Sequence, residues 1–203
     1  MPKIFDEETR EDIRSQMLDN GFSLIKRFGL KKTTIEDVTR ISGVAKGTFY
    51  NFFKTKEEFV YQIIIHKRRL VKDYYDKLLK KNGDSVDRML LRDMLRFTID
   101  GDYDLMTYLN REDAAMLAAR WPKEYLECAE NDEKALLWIL DHTHDKRKDC
   151  DWRVFANLYA IAAIGLADRE RLHAEALDAT IDQYVDRLVD YVFEQEGRRL
   201  VSA

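Results

Sequence analysis

Apolar residues recur every three or four positions along most of this chain, the interval that places side chains on one face of an α-helix. The longest such stripe predicts a helix from about Lys56 to Lys80. Its members are Phe59, Ile63, His66, Leu70, Tyr74 and Leu78. No stretch shows the sustained alternation of a half-buried strand. The pattern therefore predicts an all-α fold without a sheet, built from about nine helices.

The same interval predicts further helices on both sides of that stripe. Glycine, proline and short polar segments separate them, and residues 82–85 form the first clear loop. The other long helices are predicted from near Thr9 to Phe28, from Val86 to just before Gly101, from Tyr103 to about Ala119, from Pro122 through Leu140, from Trp152 to Ala167 and from Ala174 to Glu196.

Two short helices are predicted between residues 33 and 53, joined by a glycine turn. Thr33 and Glu36 have the spacing of a capping box, in which a hydroxyl and a carboxylate each bond an early backbone N–H. Ile35, Val38 and Ile41 would then lie on one apolar face. Ser42-Gly43 ends this helix, because glycine adopts the left-handed conformation without strain.

The second short helix begins near Ala45 and is predicted to bury Phe49 and Phe53. Its other side suits a polyanion better than a protein core. That side carries Lys46, Gly47, Thr48, Tyr50 and Asn51. A helix, a tight turn and a second helix with such a surface form the helix-turn-helix pattern that enters the major groove of DNA.

Many spaced positions in this window match one family. They are Thr33-Thr34, Val38, Gly43-Val44, Lys46-Gly47-Thr48, Tyr50, Phe53 and Lys56-Glu57-Glu58-Phe59. Over about the first third of the chain, the sequence resembles the TetR family of bacterial transcriptional regulators. The resemblance implies a three-helix DNA-binding domain over residues 1–55, with the helix-turn-helix at about 34–53. It also implies an effector-binding and dimerisation domain over residues 56–203.

Each polar residue of the motif can be given an expected contact with DNA. Thr34 combines a hydroxyl with exposed backbone N–H groups, a pairing suited to phosphate. Lys46 and Thr48 are the best candidates for base edges, and Gly47 would let the backbone approach the duplex closely. Asn51 lies on the same polar side. The resemblance implies phosphate contacts for Tyr50 and Lys56, although Tyr50 could instead be a half-buried core residue.

Three residues depart from the family pattern. Ala45 stands where many relatives have Ser or Thr, so a side-chain cap is lost. Thr39 replaces a usual alanine in the first helix of the motif. Phe52 occupies a position where relatives often have His or Tyr, and its ring cannot donate a hydrogen bond to phosphate.

The charge of the chain is divided unevenly. Residues 22–69 contain eleven Lys and Arg against four Asp and Glu, a net charge of +7 within a chain whose total is −4. The remaining residues therefore sum to −11. Lys26, Arg27, Lys31 and Lys32 cluster just before the motif, where they either attract DNA or line a solvated loop. A basic end on an acidic body suits a protein that binds nucleic acid through one face.

Composition excludes several classes of protein. No apolar run approaches the ~18 residues of a membrane span. The acidic N-terminus is unlike a signal peptide, and two cysteines do not make a disulfide scaffold, so we expect a cytoplasmic protein. No nucleophile motif, dinucleotide glycine pattern, P-loop or HExxH signature is present. We expect neither an enzyme nor a cofactor.

A histidine-rich segment, residues 141–145, raises the question of a metal site. His142 and His144 are suitable ligands for Zn or Ni. The cations that follow at positions 146–148 would repel a metal ion, and nothing fixes the geometry of the ligands. We expect a polar interhelical loop and no metal.

The body would hold the effector and the dimer contact. Effector lining is predicted from aromatic and methionine residues that could equally be core: Phe97, Tyr103, Tyr108, Met116, Trp121 and Trp138. The resemblance implies dimerisation through the last two helices, although both apolar faces could instead be buried within one subunit. The predicted interface residues are Phe155, Leu158, Tyr159, Ala162, Leu166, Ile181, Tyr184 and Leu188.

These features predict a DNA-binding regulator, by analogy a repressor that dimerises on a palindromic operator and leaves it when a small molecule binds. The alternative is a helix-turn-helix module that binds another protein and has no effector. Salt separates the two, because affinity for DNA falls with salt by a log–log slope of about −0.9 per phosphate neutralised.

Overall fold

The computed structural model describes residues 7–100, 103–120, 128–167 and 171–193. These ranges contain nine α-helices and one 3-10 turn, and no strand occurs in them. The helices are α1 (Glu7–Phe28), α2 (Ile35–Ile41), α3 (Lys46–Phe52), α4 (Lys56–Lys81), α5 (Arg88–Asp100), α6 (Arg111–Arg120), α7 (Cys128–Asp141), α8 (Trp152–Ala167) and α9 (Ala174–Val192), with the 3-10 turn at Leu105–Tyr108. The predicted all-α fold is confirmed. No helix in the described ranges has both the length and the apolar content of a membrane span.

The described residues form two compact units. The N-terminal unit contains those up to Val71 together with those from Tyr103 to Arg120, and the C-terminal unit contains the others. Helix α4 therefore contributes its first part to one unit and its last part to the other. The predicted functional boundary at residues 55–56 stays a prediction.

The core of the N-terminal unit is built on α1. This helix has acidic residues in its first turn and basic residues in its last, which complements the helix dipole. It ends at Gly29, whose φ is +81° and whose N–H donates to the Ile25 carbonyl over 2.8 Å. The side chains that α1 buries are Met17, Leu18, Phe22, Leu24 and Ile25.

Three phenylalanines close this core beneath the helix-turn-helix. Phe49 of α3 lies 5.1 Å from Phe59 of α4, centroid to centroid, and Phe53 lies 4.9 Å from Phe59. Both tilted arrangements suit the ring quadrupoles. The sequence-based assignment of Phe49 and Phe53 to the core is confirmed, since both are almost fully buried.

The cap of α2 lies one residue later than predicted. Thr34, not Thr33, is the N-cap, and its hydroxyl oxygen accepts from the Asp37 N–H over 3.1 Å. Asp37 completes the box by accepting from the Thr34 N–H over 3.3 Å. Thr33 is buried instead, and its hydroxyl donates to the Gly29 carbonyl over 2.9 Å. The two threonines have similar local patterns, so burial of the first decided which one caps.

The helix predicted from Tyr103 to Ala119 is interrupted. A 3-10 turn ends at Tyr108, and α6 begins at Arg111. Asn110 separates them because its side-chain oxygen accepts from the Asp113 N–H over 2.8 Å, as an N-cap residue does. The apolar interval is nearly continuous through this point, which is why periodicity alone missed the break.

In the C-terminal unit, α5 and α9 are joined by a row of ion pairs. Three arginines of α5 at intervals of four face four aspartates of α9 at the same interval. The pairs are Arg88–Asp190, Arg92–Asp186, Arg92–Asp182, Arg96–Asp182 and Arg96–Asp178. An interval of four keeps side chains on one helix face, so the row follows from two matched sequence patterns.

Two residues that the apolar interval places on a buried face, Ile41 and Leu70, are exposed instead. Phe28 of α1 and Met89 of α5 are also exposed apolar residues. In the last part of α4 the buried residues are Tyr75 and Leu79, one position after the predicted Tyr74 and Leu78. A helix that packs in one unit and then in another does not keep one buried stripe along its length. The predicted helix start at Pro122 and helix end at Glu196 lie outside the described residues.

Candidate nucleic-acid interface

Helix α3 has one buried and one exposed side. Phe49 is fully buried, whereas Lys46, Gly47, Tyr50 and Asn51 are exposed. Tyr50 retains 47% of its surface, so it is not the half-buried core residue of the alternative interpretation. Thr48 is half-buried. This face is polar and carries a single cation, as the sequence predicted.

The turn that holds α3 in place is fixed by hydrogen bonds. Gly43 has a φ of +66°, and the Val44 N–H donates to the Thr39 carbonyl over 3.0 Å. From α1, the Asn20 amide donates to the Ser42 hydroxyl over 2.9 Å. The Ala45 side chain makes no cap, which confirms the expected loss. The orientation of α3 therefore depends on the turn and on its buried phenylalanines.

Thr34 has little hydrogen-bonding capacity left for phosphate. Its hydroxyl donates to Asp37 Oδ2 over 2.7 Å, and its N–H donates to the same oxygen. Hydrogen bonds from Thr34, followed by one from Arg40, lower the pKa of the Asp37 carboxyl. A phosphate here would have to displace this anion, so the structure favours a capping role for Thr34.

Lys46 is paired within the motif. Its ammonium lies in a short ion pair with the Glu36 carboxylate of α2. The hydrogen bond to Lys46 lowers the pKa of Glu36, and the same bond raises the pKa of Lys46. Sequence reasoning used Glu36 only as a cap partner, because a separation of ten residues across a turn gives no local signal.

Lys56, at the start of α4, is anchored to the preceding loop. Its ammonium donates to the Leu30 carbonyl over 2.6 Å, and burial lowers its pKa. The Thr55 hydroxyl accepts from the Glu58 N–H over 3.0 Å and so caps the helix. An ammonium has three donors, so this contact leaves Lys56 able to bind a phosphate as well.

The basic cluster before the motif is partly engaged within the chain. Lys31 pairs with Glu112 of α6 over 3.0 Å and lies 3.7 Å from Asp113. The Lys26 ammonium lies over the Tyr108 ring, 5.4 Å from its centroid. The Arg27 guanidinium lies 5.0 Å from the centroid of Phe28. These contacts hold the three cations in defined positions.

Phe52 has a cation beside it that sequence reasoning missed. The Arg10 guanidinium, on the first turns of α1, lies 5.3 Å from the centroid of the Phe52 ring. This separation is within the range of a cation–π contact. Arg10 thus places a donor next to the position where the family usually has His or Tyr.

The predicted effector residues do not form one group. Tyr108 and Met116 pack against the core of the N-terminal unit. Tyr103 also belongs to this unit. Phe97 belongs to the C-terminal unit and stacks on Tyr74 with centroids 3.8 Å apart. Trp138, in the same unit, lies 4.5 Å from the His142 ring. Trp121 lies outside the described residues.

The histidine-rich segment is an interhelical loop, as expected. His142 packs on Trp138, with Nδ1 2.8 Å from the Trp138 carbonyl oxygen, while His144 is exposed. In the part of the chain that the structure describes, no three His, Cys, Asp or Glu side chains are grouped to hold a metal.

The predicted dimer residues divide into buried and accessible ones. Phe155 and Leu188 are buried within the chain, and Leu166 is nearly so, so these three offer little surface to a second subunit. The others are half-buried: Leu158, Tyr159, Ala162, Ile181 and Tyr184. The exposed apolar stripe of α8 is a different one, made of Val154, Ile161 and Ile164.

Comparison with known proteins finds one family that matches the N-terminal region. Residues 17–63 match the family described as bacterial regulatory proteins, tetR family. The chain is therefore similar to this family over its N-terminal region. The match covers α1 from Met17 through the first turns of α4, which includes the whole helix-turn-helix.

Curated proteins that are similar to part of this chain are transcriptional regulators. It is 32% identical over 69 residues to the uncharacterized HTH-type transcriptional regulator YhgD of Bacillus subtilis, covering 34% of this chain and 36% of that protein. It is 21% identical over 126 residues to the HTH-type transcriptional repressor KstR2 of Mycobacterium tuberculosis, covering 62% of each. The chain thus matches about a third and about three fifths of these two relatives.

Solved structures share the fold across most of the chain. The ketosteroid transcriptional regulator KstR2 of M. tuberculosis has a TM-score of 0.57 at 16% identity, over 90% of this chain and 95% of that one. The transcriptional regulator FadR of B. subtilis, in complex with stearoyl-CoA, has a TM-score of 0.53 at 16% identity, over 87% and 98%. At these identities the similarity shows a shared fold, in which an N-terminal helix-turn-helix is followed by a helical C-terminal part.

Proposed function

We propose that this protein is a dimeric repressor that binds a palindromic operator and is released when a small molecule binds its helical body. The observation that carries the proposal is α3, whose phenylalanines are buried while its polar face is open to solvent. Because the core holds only one side, the other side is available to the major groove. Such a regulator would act in the cytoplasm, where the chromosome lies.

The proposed DNA contacts follow from the geometry of this face. Lys46, Thr48 and Asn51 face base edges, and Gly47 permits close approach of the backbone. Tyr50 and Lys56 bind phosphates on either side, with Lys56 using the donors that Leu30 leaves. Phosphate contacts fix the register, and base contacts give sequence preference.

We propose that two subunits associate through α8 and α9. The stripe of Val154, Ile161 and Ile164 is apolar and exposed, and Ile164 retains 72% of its surface. The exposed side of α9 carries small residues, including Ala176 and Ala179, which permit close helix approach. Two recognition helices held ~34–36 Å apart would read both halves of a palindrome.

We propose a small-molecule effector, supported by relatives whose names mention one. KstR2 is named a ketosteroid regulator, and FadR was solved with stearoyl-CoA. Acyl-CoA thioesters and steroids are therefore sensible first probes. Coupling of about 1–3 kcal/mol between effector and DNA would lower operator affinity roughly five- to 150-fold.

The test is selection of bound duplexes from random DNA, followed by titration at several salt concentrations. We expect a palindrome whose affinity falls steeply between 50 and 200 mM salt, because each phosphate contact releases counterions. A selected pool without a shared sequence, or an affinity insensitive to salt, would contradict DNA recognition by this face. The recovered operator then serves to screen effectors by loss of binding.

A further inference from the structure

The ion pair between Lys46 and Glu36 lies on the exposed surface of the helix-turn-helix. Lys46 is the first residue of α3, and Glu36 is in the first turn of α2. Their side chains retain 53% and 62% of their surface while the charged ends touch. Wherever α3 presents the Lys46 ammonium, the Glu36 carboxylate is therefore presented next to it.

The Lys46–Glu36 pair contributes little to the stability of the fold, so we consider its role in the recognition of DNA. Exposed ion pairs generally add little stability, because water and salt screen them. The shared hydrogen bond lowers the pKa of Glu36 and raises that of Lys46, so both groups are charged at neutral pH. The motif thus offers DNA a fixed donor and a fixed acceptor side by side.

One base pair has the complementary arrangement in its major-groove edge. Guanine displays two acceptors, N7 and O6, and its cytosine displays the N4 amino donor next to them. An A·T pair offers the cation only one acceptor at a time, and thymine places the O4 acceptor and a methyl group where a carboxylate would have to lie.

We propose that Lys46 and Glu36 together read one G·C pair of each operator half-site. Lys46 donates to guanine O6 and N7, and Glu36 accepts from the N4 amino group of the paired cytosine. The reading is directional, because reversing the pair places the amino group under the ammonium. Glu36 also repels phosphates and base acceptors, so it weakens binding to every other sequence. This inference rests on the proposed function, since it requires α3 in the major groove.

Selection from random duplexes by the full-length protein and its variants tests the proposal. The wild-type protein should select a G·C pair of fixed orientation at one position of each half-site. Glu36→Gln and Lys46→Ala should both relax preference at that same position, by roughly tenfold, since a base-edge contact discriminates by about that much. Glutamine can donate a hydrogen bond as well as accept one, and thymine presents its O4 acceptor at this position. Glu36→Gln should therefore shift the preference towards A·T.

Glu11→Gln is the matched control. Glu11 is an exposed carboxylate of the same unit that pairs with Arg14 over 3.2 Å, so its replacement removes the same charge and a similar ion pair. This variant should select the wild-type sequence. A change of net charge alone then cannot account for the altered preference.

Each contrary outcome has a distinct meaning. If Glu36→Gln increases the affinity for all sequences equally and keeps the wild-type preference, Glu36 only reduces the attraction of Lys46 for DNA, and the inference is wrong. If the two variants relax different positions, the pair does not read one base pair. A wild-type protein that selects no sequence would overturn the proposed function and this inference together.

Discussion

Gly47 is the residue at which folding and the proposed DNA binding make opposite demands. A Cβ added there would meet no atom within 4 Å, so alanine fits the free protein. Alanine is also the better helix former, and Gly47→Ala should raise the free energy of unfolding by about 0.5–1 kcal/mol.

The same Gly47→Ala variant should lose affinity for operator DNA, because the added methyl group stands between α3 and the duplex. Urea unfolding and DNA titration on one preparation measure both effects. Unchanged operator affinity would show that the backbone does not approach the groove at this position.

Gly21 is constrained by the core instead of by a ligand. A Cβ there would lie 2.3 Å from Phe59 Cζ and 2.9 Å from Ile63 Cδ1. Because Phe59 is held among other buried rings, Gly21→Ala should destabilise the protein by about 1–3 kcal/mol. Urea unfolding measures the loss, and Gly165→Ala is the control, since its Cβ would meet nothing within 4 Å. Equal stability of the two variants would contradict the packing described for α1 and α4.

At the scale of elements, the packing of α1 on α4 contains a half-buried histidine, His66. His66 Nε2 lies 3.3 Å from Asp19 Oδ1 but has no hydrogen-bond partner among the described residues. Burial lowers the pKa of His66, a shift that Lys67 reinforces and Asp19 opposes. The folded protein therefore binds this proton less readily than the unfolded chain.

Acidification should lower the free energy of unfolding through His66. Between the ordinary pKa near 6.5 and the lower folded pKa, the unfolded chain is the more protonated state, so acidification through this range reduces stability. Between pH 7.5 and pH 5.5, the urea concentration at the unfolding midpoint should fall more for the wild-type protein than for the His66→Gln variant. An equal fall in both would show that His66 does not titrate in this range.

The row of ion pairs between α5 and α9 should make the C-terminal unit sensitive to salt. Arg92 bonds Asp186 over 2.7 Å and Asp182 over 2.8 Å. Since these groups are substantially exposed, Arg92→Ala should lower the free energy of unfolding by at most about 1 kcal/mol. The loss should be smaller in 1 M salt, where charges are screened beyond about 3 Å.

Urea unfolding in 0.1 M and 1 M NaCl measures this dependence. Lys72→Ala is the control, because Lys72 forms an isolated pair with Asp76 within α4. At low salt, Lys72→Ala should lower the free energy of unfolding by less than Arg92→Ala does. A loss of equal size for both variants would show that the row acts as separate pairs.

At the scale of the whole molecule, the proposed function depends on presenting two α3 helices at once. Ile164→Asp places a charge in the exposed stripe of α8 and should convert the proposed dimer to monomers, because a buried unpaired charge is costly. Met89→Asp is the matched control, since Met89 is 75% exposed in the same unit but lies on α5. Light scattering measures the mass, and operator titration measures the loss of paired binding. Dissociation of both variants, or of neither, would contradict an interface on α8.

Sequence alone determined the helices and the recognition motif. Apolar intervals, glycine at the turn and the exposed polar run of α3 act over a few residues, so they can be read locally. For that reason the helical class and the burial of Phe49 and Phe53 were predicted correctly, and the family inferred from the motif is the one that matches residues 17–63.

Tertiary structure decided how those elements use their side chains. Burial chose Thr34 over Thr33 as the cap, packing buried Phe155 within the chain, and the turn brought Glu36 to Lys46. Each outcome depends on residues distant in sequence. A periodic pattern gives a helix an apolar face, but only its neighbours determine which part of that face is covered and which charges meet.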